Sequence, residues 1–225
     1  MNDTPLIHFI GDSFAAVHLR QAAAFRGLAI TKERTEAHLV FISQDTGISE
    51  DGTRDLTQVK KDIETTRYLN AVRVLTSQVP PGFTRALNLD IYHQAETLRI
   101  KDARERANSP EYICVGCNDP RETLPQVYLT YLRAFDCPII QCTYEEAEFS
   151  KIAVNMTLAA QVDNANRLSE VAKKIPGVNW GRIAQILYHD SRIGPHSYLK
   201  PGNWRDSPHL LRDWVTLQEI ENDRS

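Results

Sequence analysis

From Glu145 to Ile175 the chain contains neither glycine nor proline, and this uninterrupted stretch separates two kinds of sequence. Gly and Pro are the strongest local breakers of helix, so one long helix is expected over 145–174. Upstream, short apolar runs alternate with segments of helical spacing. Strands are expected at Leu6–Ile10, His38–Ser43, Val72–Thr76, Leu89–Tyr92, Tyr112–Val115 and Pro138–Gln141. Helices are expected at Ser13–Arg26, from an Asp55 N-cap to Leu69, and at Glu122–Phe135. Val79-Pro80-Pro81-Gly82 is a turn, because two prolines cannot donate to a strand ladder. Downstream, only helices are expected, at Trp180–His189 and Pro208–Ile220. Alternating strand and helix predicts an α/β domain with a parallel sheet. The domain boundaries follow: 1–144 for the sheet domain and 145–225 for the helical one.

Charge and hydropathy exclude several classes. With 26 Lys plus Arg against 29 Asp plus Glu, the formal net charge is −3, whereas a nucleic-acid partner calls for a basic face. Apolar runs such as Leu39–Ile42 are far short of the ~20 residues of a membrane span. The apolar run Leu6–Ile10 is too short for a signal-peptide core, so a cytoplasmic location is expected. Four cysteines are too few for a disulfide scaffold. Cys114 and Cys117 form a CxxC, but in a strand residues three apart point to opposite faces. No metal site is expected, and Cys114, Cys117, Cys137 and Cys142 are read as reduced, partly buried thiols.

A strand running into glycine and then a helix is where a dinucleotide pyrophosphate rests. Here the turn is Gly11-Asp12-Ser13-Phe14-Ala15-Ala16. Gly11 fills the first position of G-x-G-x-x-G/A and Ala16 the third, while Ser13 replaces the second glycine. Ser13 is equally the residue type of a helix N-cap. A second strand ending in an acid should follow. Either Leu28–Ile30 is that strand, cut very short, or a segment is missing. The first domain is thus a truncated Rossmann-like sheet.

Six segments in order resemble the UDP-glucose/GDP-mannose dehydrogenase family. Ala37–Thr46 (AHLVFISQDT) resembles ADVxFIxVxTP, and Asp51–Leu56 (DGTRDL) resembles DGxxDLxxV. Ser77–Gly82 (SQVPPG) resembles STVPPGT, and Ala95–Arg99 (AETLR) resembles PEFLREG. Ala147–Asn155 (AEFSKIAVN) resembles AExxKxxxN. Arg192-Ile193-Gly194, Pro201-Gly202 and Arg212-Asp213 follow the order of RIG…PG…GGSCxxKD. The resemblance implies NAD as cofactor, with Gly11, Thr46 and Ser77 on the cofactor side. It also implies departures: a shortened, divergent member without the family's C-terminal nucleotide-sugar domain, and a deletion between Ile30 and Thr35. Gln78 stands for a cofactor-side threonine and Arg212 for lysine. His209 stands where the family has its nucleophilic cysteine.

The family oxidises an alcohol twice at one carbon, holding the aldehyde on the cysteine between steps. The resemblance gives Lys151 and Asn155 the stabilisation of the oxyanion. They are four apart on a helix and share a face. Glu96 matches the glutamate of thioester hydrolysis, and Asp213 an aspartate that positions water or base. His209 and Asp213 are also four apart, so a His–Asp general base for alcohol oxidation is expected. Imidazole cannot replace the thiolate, so one oxidation step is expected. Arg192 matches an arginine that reaches substrate from a neighbouring subunit. Apolar Ile152, Leu158, Ala159, Val162 and Leu168 on the long helix suggest a homodimer.

Two functions compete. The first is a UDP-glucose/GDP-mannose dehydrogenase-like, NAD-dependent oxidoreductase acting on a nucleotide sugar or related hydroxy compound, a chemistry that serves polysaccharide biosynthesis. The second is a non-catalytic relative, a dimeric scaffold or regulatory subunit. Lys151, Asn155, Glu96 and Asp213 favour the first; Ser13, which predicts weak NAD affinity, and His209, which predicts limited turnover, favour the second.

Overall fold

The computed structural model describes residues 4–49 and 53–222, so Asp51 and Gly52 of the DGTRDL segment lie outside the described residues. The chain divides into two compact units, Met1–Lys151 and Ile152–Ser225.

In the first unit seven strands form one sheet: β1 (Leu6–Ile10), β2 (Ala29–Ile30), β3 (Leu39–Ile42), β4 (Val72–Leu75), β5 (Tyr92–Gln94), β6 (Ile113–Cys117) and β7 (Ile139–Thr143). Their order is β2-β1-β3-β4-β5-β6-β7. Every pair is parallel except β5 with β6. The helices are α1 (Phe14–Phe25), α2 (Thr57–Thr66), α3 (Phe83–Ala86), α4 (Ala103–Asn108), α5 (Gln126–Arg133) and the long α6 (Tyr144–Ala172), which continues into the second unit.

The second strand exists, as two residues. Gly27 takes φ +76° after α1. Gly27 N donates to Ala24 O (3.0 Å) and Leu28 N to Ala23 O (3.0 Å), the paired bonds of a Schellman stop. The chain then pairs Leu6 with Ala29 and Ile7 with Ile30. The sheet is not wholly parallel as expected. The 95–112 connection, holding only the short α4, returns the chain on the side where β5 ended, so β6 runs back against it. Several expected boundaries also shift, those of β5 and α5 among them. β5 begins at Tyr92 rather than Leu89, because Leu87, Leu89 and Ile91 fill a core cluster from a loop. α5 begins at Gln126, because Pro125 is its N-cap and the residue before a proline is disfavoured in helix.

β3 is buried along its whole length, as expected of a strand covered on both faces. On one side Phe41 stacks on Phe9 (4.9 Å between centroids) and meets Tyr131 of α5 (4.6 Å). The buried Tyr128 hydroxyl donates to Gln94 Oε1 (3.0 Å), so this aromatic core has its polar tip satisfied. On the other side Ile42, Val59, Ile63, Leu75 and Ile91 pack together.

The second unit holds the rest of α6, α7 (Trp180–His189) and α8 (Pro208–Asn222). Ala159 and Val162, expected on a pairing face, pack here with Trp204, Met156, Leu210 and Trp214 of the same chain. Val154 and Val171 of α6 remain exposed. Among the described residues no helix is long and apolar enough to cross a membrane.

Candidate functional site

The loops after β1, β3 and β4 meet at the carboxyl edge of the sheet, where open α/β folds take ligands. Gly11 has φ +106°, and a Cβ there would lie 2.1 Å from Ser43 O, so only glycine fits. Ser43 N donates to Ile10 O (2.9 Å), locking the first two loops. Gln44 N donates to Ser77 Oγ (2.7 Å), and Thr46 Oγ1 to Gln78 O (2.8 Å). Gly11, Thr46 and Ser77 thus lie on loops tied to one another. The Thr46 and Ser77 hydroxyls are buried in backbone contacts and shape the rim. Gln44 Nε2 also donates to the buried Asp62 Oδ2 of α2 (2.7 Å).

Ser13 is the N-cap of α1. Its buried Oγ accepts from Ala16 N (3.0 Å) and donates to Ser43 O (2.9 Å). The side chain therefore occupies the place where a second glycine would leave open backbone. Because β2 is present, an acid does follow it: Glu33 is exposed three residues beyond Ile30. A two-residue strand gives no periodic signal in the sequence, so nothing there singles out Glu33. The turn, the α1 N-terminus and Glu33 fit a dinucleotide; the buried Ser13 side chain narrows that fit.

A second missed residue is Glu148. Its Oε2 accepts from Gly82 N (2.6 Å) and its Oε1 from Thr84 N (2.8 Å), capping α3 after the Pro-Pro turn. Gly82 has no side chain to do this and sits at φ +89°. Burial pushes the Glu148 carboxyl above its ordinary pKa even though these donors pull the other way. Beside it, Arg85 Nη2 holds Glu145 Oε2 (2.9 Å) and Nη1 holds Asn118 Oδ1 (2.8 Å). The only signal was the AEFSK segment itself.

Three residues beyond Glu148 on α6, Lys151 places Nζ 4.0 Å from Glu96 Oε2. The two side chains are 13% and 19% exposed, so water still reaches them. Glu96 also accepts from Leu98 N. The first unit thus brings Lys151 and Glu96 together.

In the second unit Asn155 Nδ2 donates to Asp213 Oδ2 (2.6 Å), and Arg212 Nε lies 3.6 Å from Asp213 Oδ1. Asn155 is 7% exposed and Asp213 0%. His209 is exposed on the first turn of α8, one turn before Asp213. Arg192 chelates Asp190 in its own loop, Nε to Oδ1 at 3.0 Å and Nη2 to Oδ2 at 2.7 Å. Its side chain is 87% exposed, and this pairing with Asp190 raises its pKa.

These features define a Rossmann-like α/β domain with a helical extension. Residues 145–222 match the UDP-glucose/GDP-mannose dehydrogenase family, central domain. The UDP-glucose 6-dehydrogenase TuaD of Bacillus subtilis is 25% identical over 197 residues, covering 81% of this chain and 42% of the relative. The GDP-mannose 6-dehydrogenase of Pseudomonas aeruginosa is 30% identical over 110 residues, 48% of this chain and 24% of the relative. The chain thus spans less than half the length of these curated relatives. A UDP-glucose dehydrogenase structure from Pyrobaculum islandicum superposes with a TM-score of 0.72 at 21% identity, over 98% of this chain and 69% of that one. A UDP-D-ManNAc dehydrogenase from Pyrococcus horikoshii gives 0.77 at 16% identity, over 98% and 65%. The structural likenesses concern the fold alone. The chain is thus similar to the UDP-glucose/GDP-mannose dehydrogenase family, through its helical segment in the family model and over most of its length in the curated relatives.

Proposed function

We propose that the chain is a nucleotide-sugar dehydrogenase-like oxidoreductase that uses NAD to oxidise a CH–OH group, in one step, as a cytoplasmic homodimer paired through α6. The observation that carries this reading is the Gly11 turn, where no Cβ fits between β1 and the β3 loop. The turn and the N-terminus of α1 would hold the pyrophosphate, and Glu33 the ribose hydroxyls. Bound NAD would supply the hydride acceptor. Lys151 donates to the alcohol oxygen as it gains negative charge, with Glu96 fixing the ammonium. Asn155 has the same donor role, and Asp213 fixes its amide orientation. His209, exposed, takes the hydroxyl proton. Arg192 is the substrate-side cation. No thiolate stands at position 209, so no thiohemiacetal forms there and the product is an aldehyde or ketone.

The competing reading, a non-catalytic scaffold or regulatory subunit, is favoured by Ser13, whose buried hydroxyl crowds the approach to the turn. Titration with NAD followed by product analysis separates the two. The oxidoreductase reading expects weak binding, with stabilisation reaching about 2.7 kcal/mol at 100 times the dissociation constant. It expects one reduced nicotinamide per substrate, and a ~10²–10⁴-fold loss of turnover in His209→Ala. Absence of NAD binding together with absence of turnover on nucleotide sugars supports the scaffold. Two reduced nicotinamides per substrate would overturn the one-step assignment.

A further inference from the structure

Cys114 and Cys142 are the two thiols brought into contact on neighbouring strands. β6 and β7 pair in parallel, with Cys114 opposite Ile140 and Gly116 opposite Cys142. The two cysteines therefore share one face of the sheet, two residues out of step. Their sulfurs are 3.5 Å apart, and both are unbridged. Cys114 is buried with Ala95 and Ala147, while Cys142, on the last strand of the sheet, is partly exposed.

The other two cysteines are placed differently. Cys117 falls on the opposite face, where its thiol donates to Cys142 O (3.3 Å) and accepts from Gln141 Nε2 (3.5 Å). Cys137 precedes β7 and packs against the main core. Burial pushes the thiols of Cys117 and Cys137 up. At the pair, a hydrogen bond from Cys142 holds the Cys114 thiol below its ordinary value, with help from Ser150, and the same bond raises Cys142. The 3.5 Å contact puts each sulfur within reach of its oxidised neighbour, and the lowered Cys114 thiol favours it as the one that reacts first.

We propose that Cys114 and Cys142 form an oxidation site that a small hydroperoxide converts to a disulfide between them. The Cys114 thiolate attacks one peroxide oxygen and the O–O bond breaks. Cys114 becomes a sulfenic acid, and the departing hydroxide takes a proton to become water. The Cys142 sulfur then attacks Cys114, the S–O bond breaks, and the hydroxyl leaves with the Cys142 proton as a second water. Two thiols lose two electrons, and hydrogen peroxide is reduced to two waters. The burial of Cys114 selects a small oxidant over a bulky disulfide. Cys114 touches residues beside Glu96 and one turn before Lys151, since Ala95 N donates to Cys114 O (3.1 Å) and Ala147 of α6 packs on Cys114.

The test is treatment of the full native chain with hydrogen peroxide, then thiol blocking and mass spectrometry without reductant. The expected result is loss of two hydrogen atoms, reversed by dithiothreitol, with fragmentation assigning the bridge to Cys114 and Cys142. In Cys142→Ser the reaction should stop at a dimedone-trapped sulfenic acid on Cys114. In Cys114→Ser there should be no bridge and no adduct on Cys142. Circular dichroism confirms that each variant is folded; should one not fold, mapping of the native chain decides alone. A bridge through Cys117 or Cys137, or no bridge in the folded native chain, overturns the proposal.

Discussion

Two carboxylates, one in each unit, differ in what surrounds them. Asp213 is fully buried, accepts from Asn155 at 2.6 Å and lies 3.6 Å from the Arg212 guanidinium. Glu96 is partly exposed and faces Lys151 at 4.0 Å. A buried polar group must be matched at short range or the fold suffers, whereas a pair that water still reaches and that stands 4.0 Å apart, beyond hydrogen-bond distance, contributes less. Asp213 is therefore placed to hold the helical unit together, and Glu96 to respond to a ligand.

Replacing Asp213 with Ala should have the largest effect. It removes the acceptor of the buried Asn155 amide and the carboxylate beside the buried Arg212, so urea unfolding should show a loss of about 3–5 kcal/mol. An unchanged midpoint would mean that Asp213 is no more structural than Glu96. The next effect is pH-driven. His93 is buried in β5, its Nδ1 has no partner among the described residues, and burial lowers its pKa to about 4 from 6.5. A lowered histidine pKa means that stability is fully present above pH 6.5 and falls as pH drops toward 4, by about 3 kcal/mol. Thermal melts across that window should slope downward to acid, and His93→Gln should flatten them.

Glu148 comes third and acts in the opposite sense. Its raised pKa means that the folded state holds its proton longer than the unfolded chain, so its contribution declines as pH rises through the folded value. Glu148→Gln removes that slope but leaves one of the Gly82 and Thr84 N–H groups unmatched, for a loss of about 1–3 kcal/mol at neutral pH. The smallest stability change, within about 1 kcal/mol, is expected for Glu96→Gln. If turnover is detected, the same variant should lower it with the melting temperature held. A variant that melts early and turns over normally would reverse the contrast with Asp213.

Sequence legibility followed the range of the interactions involved. Trp180–His189 was readable to the residue because its start signal is local: Asn179 is the N-cap, accepting from Arg182 N at 3.1 Å. α6 was readable because nothing in it breaks a helix. β5 was misplaced because Leu89 and Ile91 are buried without being strand, and apolar spacing cannot tell the two apart. α3 and α4 are too short to show a period. In the site, the motif residues were visible one by one. Their partnerships were not, because Glu96 meets Lys151, Asn155 meets Asp213, and Glu148 meets the Pro-Pro turn, across 55 to 66 residues of chain. Only the folded backbone supplies those pairings.

The complete burial of β3 has a kinetic side. An amide proton exchanges with solvent only when its hydrogen bond opens, and Leu39–Ile42 are sealed by neighbours on both faces and both edges. Deuterium should enter these four positions only through global opening of the first unit, making them its slowest exchangers. At the sheet margin, the two-residue β2 should label first. The spread between the two would rank the layers of the sheet by the work needed to open each one.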